Sequence, residues 1–164
     1  MHVHIEVNEK PAQRFLDKML ARGLNQRPTL KWAGEQLEDA FRDNFLAQGA
    51  LVGGWKPLDP ETLMNRPPTP ILFGKTGILL YEVTHLEGPP SFVGATSAEF
   101  GSNMNLLEWH QNGTFVHGKR HIPARTLIFE PRFFEWRLAN HAAHYLAYGN
   151  VGPVAIKELG GLFR

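Results

Sequence analysis

Histidine is the residue type best suited to chemistry in this chain, because it binds metal ions and transfers protons near neutral pH. Three of the eight histidines lie in one stretch: His110, His117 and His121. The zinc motif His-Glu-x-x-His is absent. No Asp or Glu lies between Glu108 and Glu130, so this stretch offers no carboxylate ligand. We therefore expect no metal site and no cofactor, and keep a metal-dependent hydrolase using these histidines as an alternative.

The same acid-free stretch carries three cations, Lys119, Arg120 and Arg125. Such a group could contact phosphates or an acidic partner. The whole chain has 17 Lys and Arg against 16 Asp and Glu, for a formal net charge of +1. That balance does not create the strong positive field with which polycations capture nucleic acid. We expect non-specific proximity to DNA at most, and keep a nucleic-acid-binding module as a second alternative.

Familiar enzyme motifs are missing from the chain. Gly74-Lys75-Thr76 resembles the end of a phosphate-binding loop, but that motif needs a glycine where this chain has Thr69. There is no cysteine, which excludes disulfides and thiolate chemistry. The three serines, Ser91, Ser97 and Ser102, do not lie in a Gly-x-Ser-x-Gly setting. The sequence therefore carries no signature of a P-loop enzyme, a cysteine nucleophile or a serine hydrolase.

The elements that must position these residues form a mixed pattern. Strict alternation predicts a strand over residues 3–7, and helical spacing predicts long helices that begin near Pro11, Pro28 and Pro131. Weaker patterns predict a short helix within 71–80, strands over 80–86, 91–95 and 126–129, and a short helix over 103–111. We predict one α+β domain over residues 1–164, with helices packed on one face of a small, mainly antiparallel sheet.

Two segments rich in glycine and proline interrupt this pattern, a long loop over residues 49–70 and an extended C-terminal tail over residues 149–164. Loops of this length in a small domain usually serve a function. We predict that both are docking arms that become ordered on a partner. The charged, weakly apolar start predicts no signal peptide, and no apolar run is long enough for a membrane span. We expect the chain to remain in the cytoplasm of the cell that makes it.

Four short motifs in a fixed order carry a resemblance. They are Trp55-Lys56-Pro57-Leu58 with Thr62, Thr76-Gly77-Ile78-Leu79, His110-Gln111-Asn112-Gly113, and Ile122-Pro123-Ala124-Arg125. Together the motifs resemble the phage virion morphogenesis family, the tail-completion proteins of Mu-like contractile-tailed phages. The resemblance covers roughly residues 28–147. It departs from the family pattern after Arg125, where Thr126-Leu127 replaces Pro-Phe, and at the proline run Pro67-Pro68-Thr69-Pro70.

The resemblance implies a structural assembly protein that is not an enzyme. It acts at the head–tail junction or tail end, as a ring subunit during tail completion and head–tail joining. A tail terminator is the alternative within that class. The partners implied are further copies of the chain and the phage connector, neck or tail-tube proteins, without a membrane. The location implied is the virion neck or tail end, and the host cytoplasm during assembly. Because Trp and Arg are enriched at interface hot spots, we expect contacts through Trp55, Trp109 and Arg125, and through Leu162 and Phe163 of the tail. The alternative for the first three is an internal role: Trp55 pins its own loop, Trp109 closes the core at a helix end, and Arg125 caps a carbonyl or forms an internal salt bridge.

Overall fold

A computed structural model describes residues 9–65, 71–73, 76–86, 90–116 and 120–150. The strand predicted over 3–7 lies outside these ranges, as do Lys119 and the tail residues Leu162 and Phe163. In chain order the described helices are α1 (Lys10–Leu24), α2 (Arg27–Leu46), a 3₁₀ turn (Ala50–Val52), α3 (Pro60–Met64), α4 (Ile78–Thr84), α5 (Asn105–Asn112) and α6 (Phe134–Tyr148). The described strands are β1 (Phe92–Val93), β2 (Ala98–Glu99), β3 (Thr114–Val116) and β4 (Arg120–Ile122).

Helix α2 is the central element of the fold. It packs against α4, α6, the 3₁₀ turn and β1. Its buried residues, together with the partly buried Leu37, lie along one helical face: Thr29, Ala33, Gly34, Phe41, Asn44 and Phe45. That face meets one hydrophobic core whose buried members are Phe41, Phe45, Trp55, Leu72, Leu79, Val83, Leu86, Leu107 and Leu127. The predicted second and final helices are confirmed.

Helix α1 lies at the edge of the molecule. Pro11 occupies its first turn, where a missing backbone N–H has no cost. None of its fifteen residues is buried. The helix is fixed mainly at its carboxyl end, where Arg22 Nη1 donates hydrogen bonds to the Leu146 and Ala147 carbonyls of α6, each at 2.8 Å.

The described strands form two separate antiparallel hairpins rather than one sheet. Strand β1 pairs with β2, with Phe92 opposite Glu99, and β3 pairs with β4, with Phe115 opposite His121. The α+β class is therefore confirmed. The structure does not contain the single sheet covered by helices on one face within the residues that it describes.

Two predicted strands are wrong for identifiable reasons. Residues 80–84 belong to α4, which ends at Thr84 and has Gly77, with a left-handed φ of 66°, as its N-cap. Leu79 and Val83 are buried four residues apart on one face of this helix, and Leu86 is buried just beyond its end. Residues 126–129 remain irregular because their backbone groups bond to side chains rather than to a neighbouring strand, as described below. No helix in the described part of the chain is both long and apolar enough to cross a membrane.

Candidate functional site: a clamp at the base of a projecting arm

The residues that carry the sequence motifs gather around one irregular segment, residues 125–128. Trp55 is buried and packs edge-on against Phe45, with ring centroids 5.3 Å apart at 86°. Its Nε1 donates a hydrogen bond of 3.0 Å to the Thr126 carbonyl. Asn44 Nδ2 donates to the same oxygen at 3.2 Å. The Thr126 carbonyl is thus held by two side chains that are distant in sequence.

Arg125 holds the backbone of Lys56 and Pro57 against the same irregular segment. The side chain is only 3% exposed. Its Nε and Nη2 donate to the Lys56 carbonyl at 3.2 and 3.1 Å, and Nη2 also reaches the Pro57 carbonyl at 3.4 Å. Burial lowers the pKa of the guanidinium, which still stays protonated at neutral pH. Arg125 therefore acts as a multiple donor to the chain just after Trp55.

Gln111 supplies the hydrogen bonds that a strand partner would otherwise supply. Its Oε1 accepts from the backbone N–H groups of Leu127 and Ile128 at 2.7 and 3.0 Å, and its Nε2 donates to the Ile128 carbonyl at 2.8 Å. The backbone N–H of Arg125 donates to the His110 carbonyl at 2.6 Å. Helix α5 thus holds this segment through one amide side chain and one carbonyl.

Gln48 joins the two ends of the loop. The Trp55 N–H donates to its carbonyl at 3.0 Å, and the Ile71 N–H donates to its Oε1 at 2.6 Å. Gly49 follows with φ of 81°, and a Cβ there would overlap the Trp55 indole. Glycine is therefore required both by the backbone and by the close approach of the ring. We call Gln48, Trp55, Gln111 and Arg125 the clamp, and residues 56–70 the arm.

The described part of the arm, residues 56–65, is exposed except at Leu58, which is half-buried. Asp59 caps α3 by accepting the Glu61 N–H at 2.9 Å. Every residue of this helix is exposed, including Leu63 at 54% and Met64 at 79%. The arm thus has a fixed base and a tip that offers apolar surface to solvent.

The structure shows Trp55 and Arg125 in the internal roles that were the alternative for each residue. Both side chains are buried and make hydrogen bonds within the domain, which leaves little of either side chain free to contact another molecule. Arg125 is also removed from the predicted phosphate-binding group for the same reason. Trp109 does lie at the surface of α5, where it is 48% exposed. Arg120 lies in β4.

The histidine stretch does not assemble a metal centre in the described residues, where no group of three or more His, Asp or Glu is suitably placed. His117 lies outside the described ranges. Burial, and then the Arg125 charge, lower the pKa of His110. Its Nδ1 is buried without a hydrogen-bond partner among the described residues. His110 is therefore a neutral packing residue beside the clamp at physiological pH.

Sequence analysis missed the side-chain amides of the clamp and the neighbouring amide of Asn44. Gln48 and Asn44 lie near the end of α2, where the sequence pattern gave no sign of a tertiary contact. Gln111 lies within a recognised motif, but its contact with residues 127 and 128 depends on tertiary folding. The signal that could have identified this region is the clustering of Gln48-Gly49 and Gln111-Asn112-Gly113 at helix ends.

Comparisons with known proteins give no relative for this chain. No family model matches it, and neither the curated proteins nor the solved structures contain a significant match.

Proposed function

We propose that this protein is a structural phage assembly protein that acts at the head–tail junction or the tail end, as a subunit of a ring. The observation that carries the proposal is the arm, whose base is held by the clamp while Leu63 and Met64 are exposed at its tip. The proposal makes the protein a docking component rather than an enzyme.

The position of the motif residues supports this proposal. Trp55, Gln111 and Arg125 belong to three of the four motifs that resemble the phage virion morphogenesis family. All three meet at residues 125–128 and fix the arm. In this proposal the motif residues hold the base of the arm in place. The residues that contact a partner are Leu63 and Met64, later in the arm.

The exposed apolar surface of α1 also supports the proposed role in assembly. Helix α1 exposes Phe15, Leu16, Leu20 and Leu24 by between 52% and 67%. Scattered apolar side chains are normal at protein surfaces, but aligned ones mark interaction sites. Leu16, Leu20 and Leu24 repeat every four residues, and so form one ridge on the helix. A subunit of a larger assembly covers such a ridge on assembly.

The proposal is tested by complementing a phage or prophage in which this gene is disrupted. The test variant is Leu63→Ser with Met64→Ser, which removes apolar surface from the arm tip without touching the clamp. Thr62→Ser in the same helix is the matched control. We expect the control to restore infectious particles and the test variant to leave filled heads beside separate tails in electron micrographs.

Two outcomes would contradict the proposal. Intact infectious particles in the absence of the gene would show that the protein is not needed for assembly. Full complementation by the double variant would show that the arm tip is not a docking element. Overlong tails would instead indicate a tail terminator.

A further inference from the structure

One face of α1 carries a row of positive charge. Lys10, Arg14 and Lys18 repeat every four residues, which stacks them along the helix with a rise of about 6 Å per step. All three are exposed. Phe15, exposed by 52%, directly follows Arg14 and lies one turn before Lys18. Asp17, which is also exposed, lies on the same face one turn after Arg14. The face therefore carries three cations and one carboxylate, with the aromatic side chain of Phe15 at its edge.

One face of α2 carries the complementary charge with the same repeat. Glu35, Asp39 and Asp43 are spaced every four residues and all are exposed. Leu46, one turn after Asp43, is 58% exposed. Asp39 forms an ion pair with Arg42 at 2.6 Å, which leaves Glu35 and Asp43 as the ends of the acidic row. Lys31, which is exposed, lies one turn before Glu35 on the same face. The face thus offers an apolar side chain beside three carboxylates, with the cations Lys31 and Arg42 at its margin.

Among the described residues of one molecule, Arg14 and Lys18 are not paired with Glu35 or Asp43. Helix α1 packs on α6, whereas α2 packs on α4, α6, the 3₁₀ turn and β1. Among the described residues, neither Arg14 nor Lys18 forms an ion pair, and the same holds for Glu35 and Asp43. Each chain therefore presents two different surfaces that match in charge and in spacing.

We infer that α1 of one copy docks along α2 of a second copy of this chain. Arg14 and Lys18 lie against the acidic row from Glu35 to Asp43, and Phe15 packs with Leu46. The inference deepens the proposed function, and rests on it for the expectation that the contact closes a ring. A contact between two different surfaces of the same chain repeats from copy to copy, and becomes a ring when the rotation closes.

Charge argues against two other occupants. A symmetric contact between two α1 helices through this face would bring the two cationic rows together, which is unfavourable. A nucleic acid would be attracted by Arg14 and Lys18 but repelled by the acidic row of α2. Only a second copy uses both rows, so the test below is built on exchanging their charges.

The test uses the full chain and two charge-reversed variants. The first is Arg14→Glu with Lys18→Glu, and the second is Glu35→Lys with Asp43→Lys. Glu99→Lys with Glu108→Lys is the matched control, because it changes the net charge by the same amount as the second variant at two other exposed carboxylates. Association is measured by analytical ultracentrifugation from micromolar to millimolar protein at low and high salt.

We expect the wild-type chain and the control to associate at low salt, and less at high salt. Each reversed variant alone should weaken association by at least about ten-fold. An equimolar mixture of the two variants should associate again, because each reversed row then meets its complement on the other variant. A single chain with all four changes should associate like the wild type. Thermal melting checks that every variant is folded.

A wild-type chain that stays monomeric at every concentration would overturn this inference. So would association that the reversals leave unchanged, or two variants that do not recover on mixing. Retention of a DNA duplex by the wild-type chain but not by the first variant, without self-association, would assign the cationic row to nucleic acid instead. The proposed function is judged separately by complementation, so either can fail without the other.

Discussion

The clamp and helix α1 use similar residue types in opposite ways. Both contain apolar and arginine side chains, but Trp55 and Arg125 are buried, whereas no residue of α1 is. The clamp holds irregular backbone through amide, indole and guanidinium donors, and α1 is a regular helix held mainly through Arg22. Regular secondary structure is therefore not a guide to which region is fixed. The irregular region is part of the core, and the helix is available to a partner.

The largest stability effect is expected at the indole of the clamp. Trp55→Ala removes a buried aromatic and a hydrogen bond to Thr126, and should lower the free energy of unfolding by about 3–5 kcal/mol. Trp109→Ala, at an exposed tryptophan, should change it by about 0.5 kcal/mol or less. Urea unfolding of both variants measures the difference. Equal effects would show that Trp55 is not part of the core.

A methyl group at Gly49 should separate steric overlap from backbone strain. Gly49→Ala and Gly53→Ala both place alanine at a positive φ, of 81° and 93°, which costs about 1–2 kcal/mol. Only at Gly49 does the new Cβ overlap the Trp55 ring, because nothing lies within 4 Å of it at Gly53. Gly49→Ala should therefore be the less stable variant in thermal melting. Identical melting temperatures would contradict the close packing of the ring.

Loss of the guanidinium should release the start of the arm. Arg125→Met keeps the apolar length of the side chain but removes the donors to the Lys56 and Pro57 carbonyls. The expected loss of stability is about 1.5–3 kcal/mol. Arg132→Met at an exposed position is the control. Proteolysis within residues 56–65 should become faster in the first variant and stay unchanged in the second.

His110 should make the clamp sensitive to acid. The folded state lowers the pKa of His110 below its usual 6.5 through burial and the nearby Arg125 charge. Below pH 6.5 the unfolded chain therefore binds a proton that the folded chain resists. The free energy of unfolding should fall as the pH drops through 6.5 and level off below the folded pKa. His110→Gln should show a weaker fall in urea unfolding between pH 8 and pH 5, and an unchanged slope would contradict this.

The smallest stability effect is expected on α1. Leu20→Ser changes a side chain that is 65% exposed, so the free energy of unfolding should move by about 0.5 kcal/mol or less. Complementation by this variant should nevertheless be reduced, because the apolar ridge loses its middle residue. A marked loss of stability would show that α1 is covered within its own chain.

Periodic apolar patterns made much of the fold predictable. The helices predicted near Pro11 and Pro28 follow from spacing and from proline in a first turn. The final helix follows from spacing alone, because it begins at Phe134 and Pro131 lies before it. A strand was wrongly predicted over 80–86 because a short apolar run fits both a strand and a buried helix. Residues 126–129 misled because the side chain of Gln111 replaces a strand partner. Such a substitution depends on tertiary contacts that local pattern does not carry.

The sequence identified two residues of the candidate site, but it did not show which surface each of them contacts. Composition singled out Trp55 and Arg125 as anchors, and both are anchors, but of the arm to its own domain. Residue type alone does not tell which surface an anchor will bury against. Leu63 and Met64 became candidates only once the structure showed that they are exposed on α3, close after the clamped residues 55–57.

Hydrogen exchange tests the central contrast most directly, by comparing the purified chain with the same chain in assembled particles. In the free chain, the amides of Trp55, Leu127 and Ile128 should exchange slowly, and those of α1 and α3 quickly. In particles, the backbone amides of α1 and α3 should exchange more slowly, while those of Trp55, Leu127 and Ile128 should exchange at an unchanged rate. Fast exchange at the clamp in the free chain, or no gain of protection on α1 and α3 after assembly, would contradict the account.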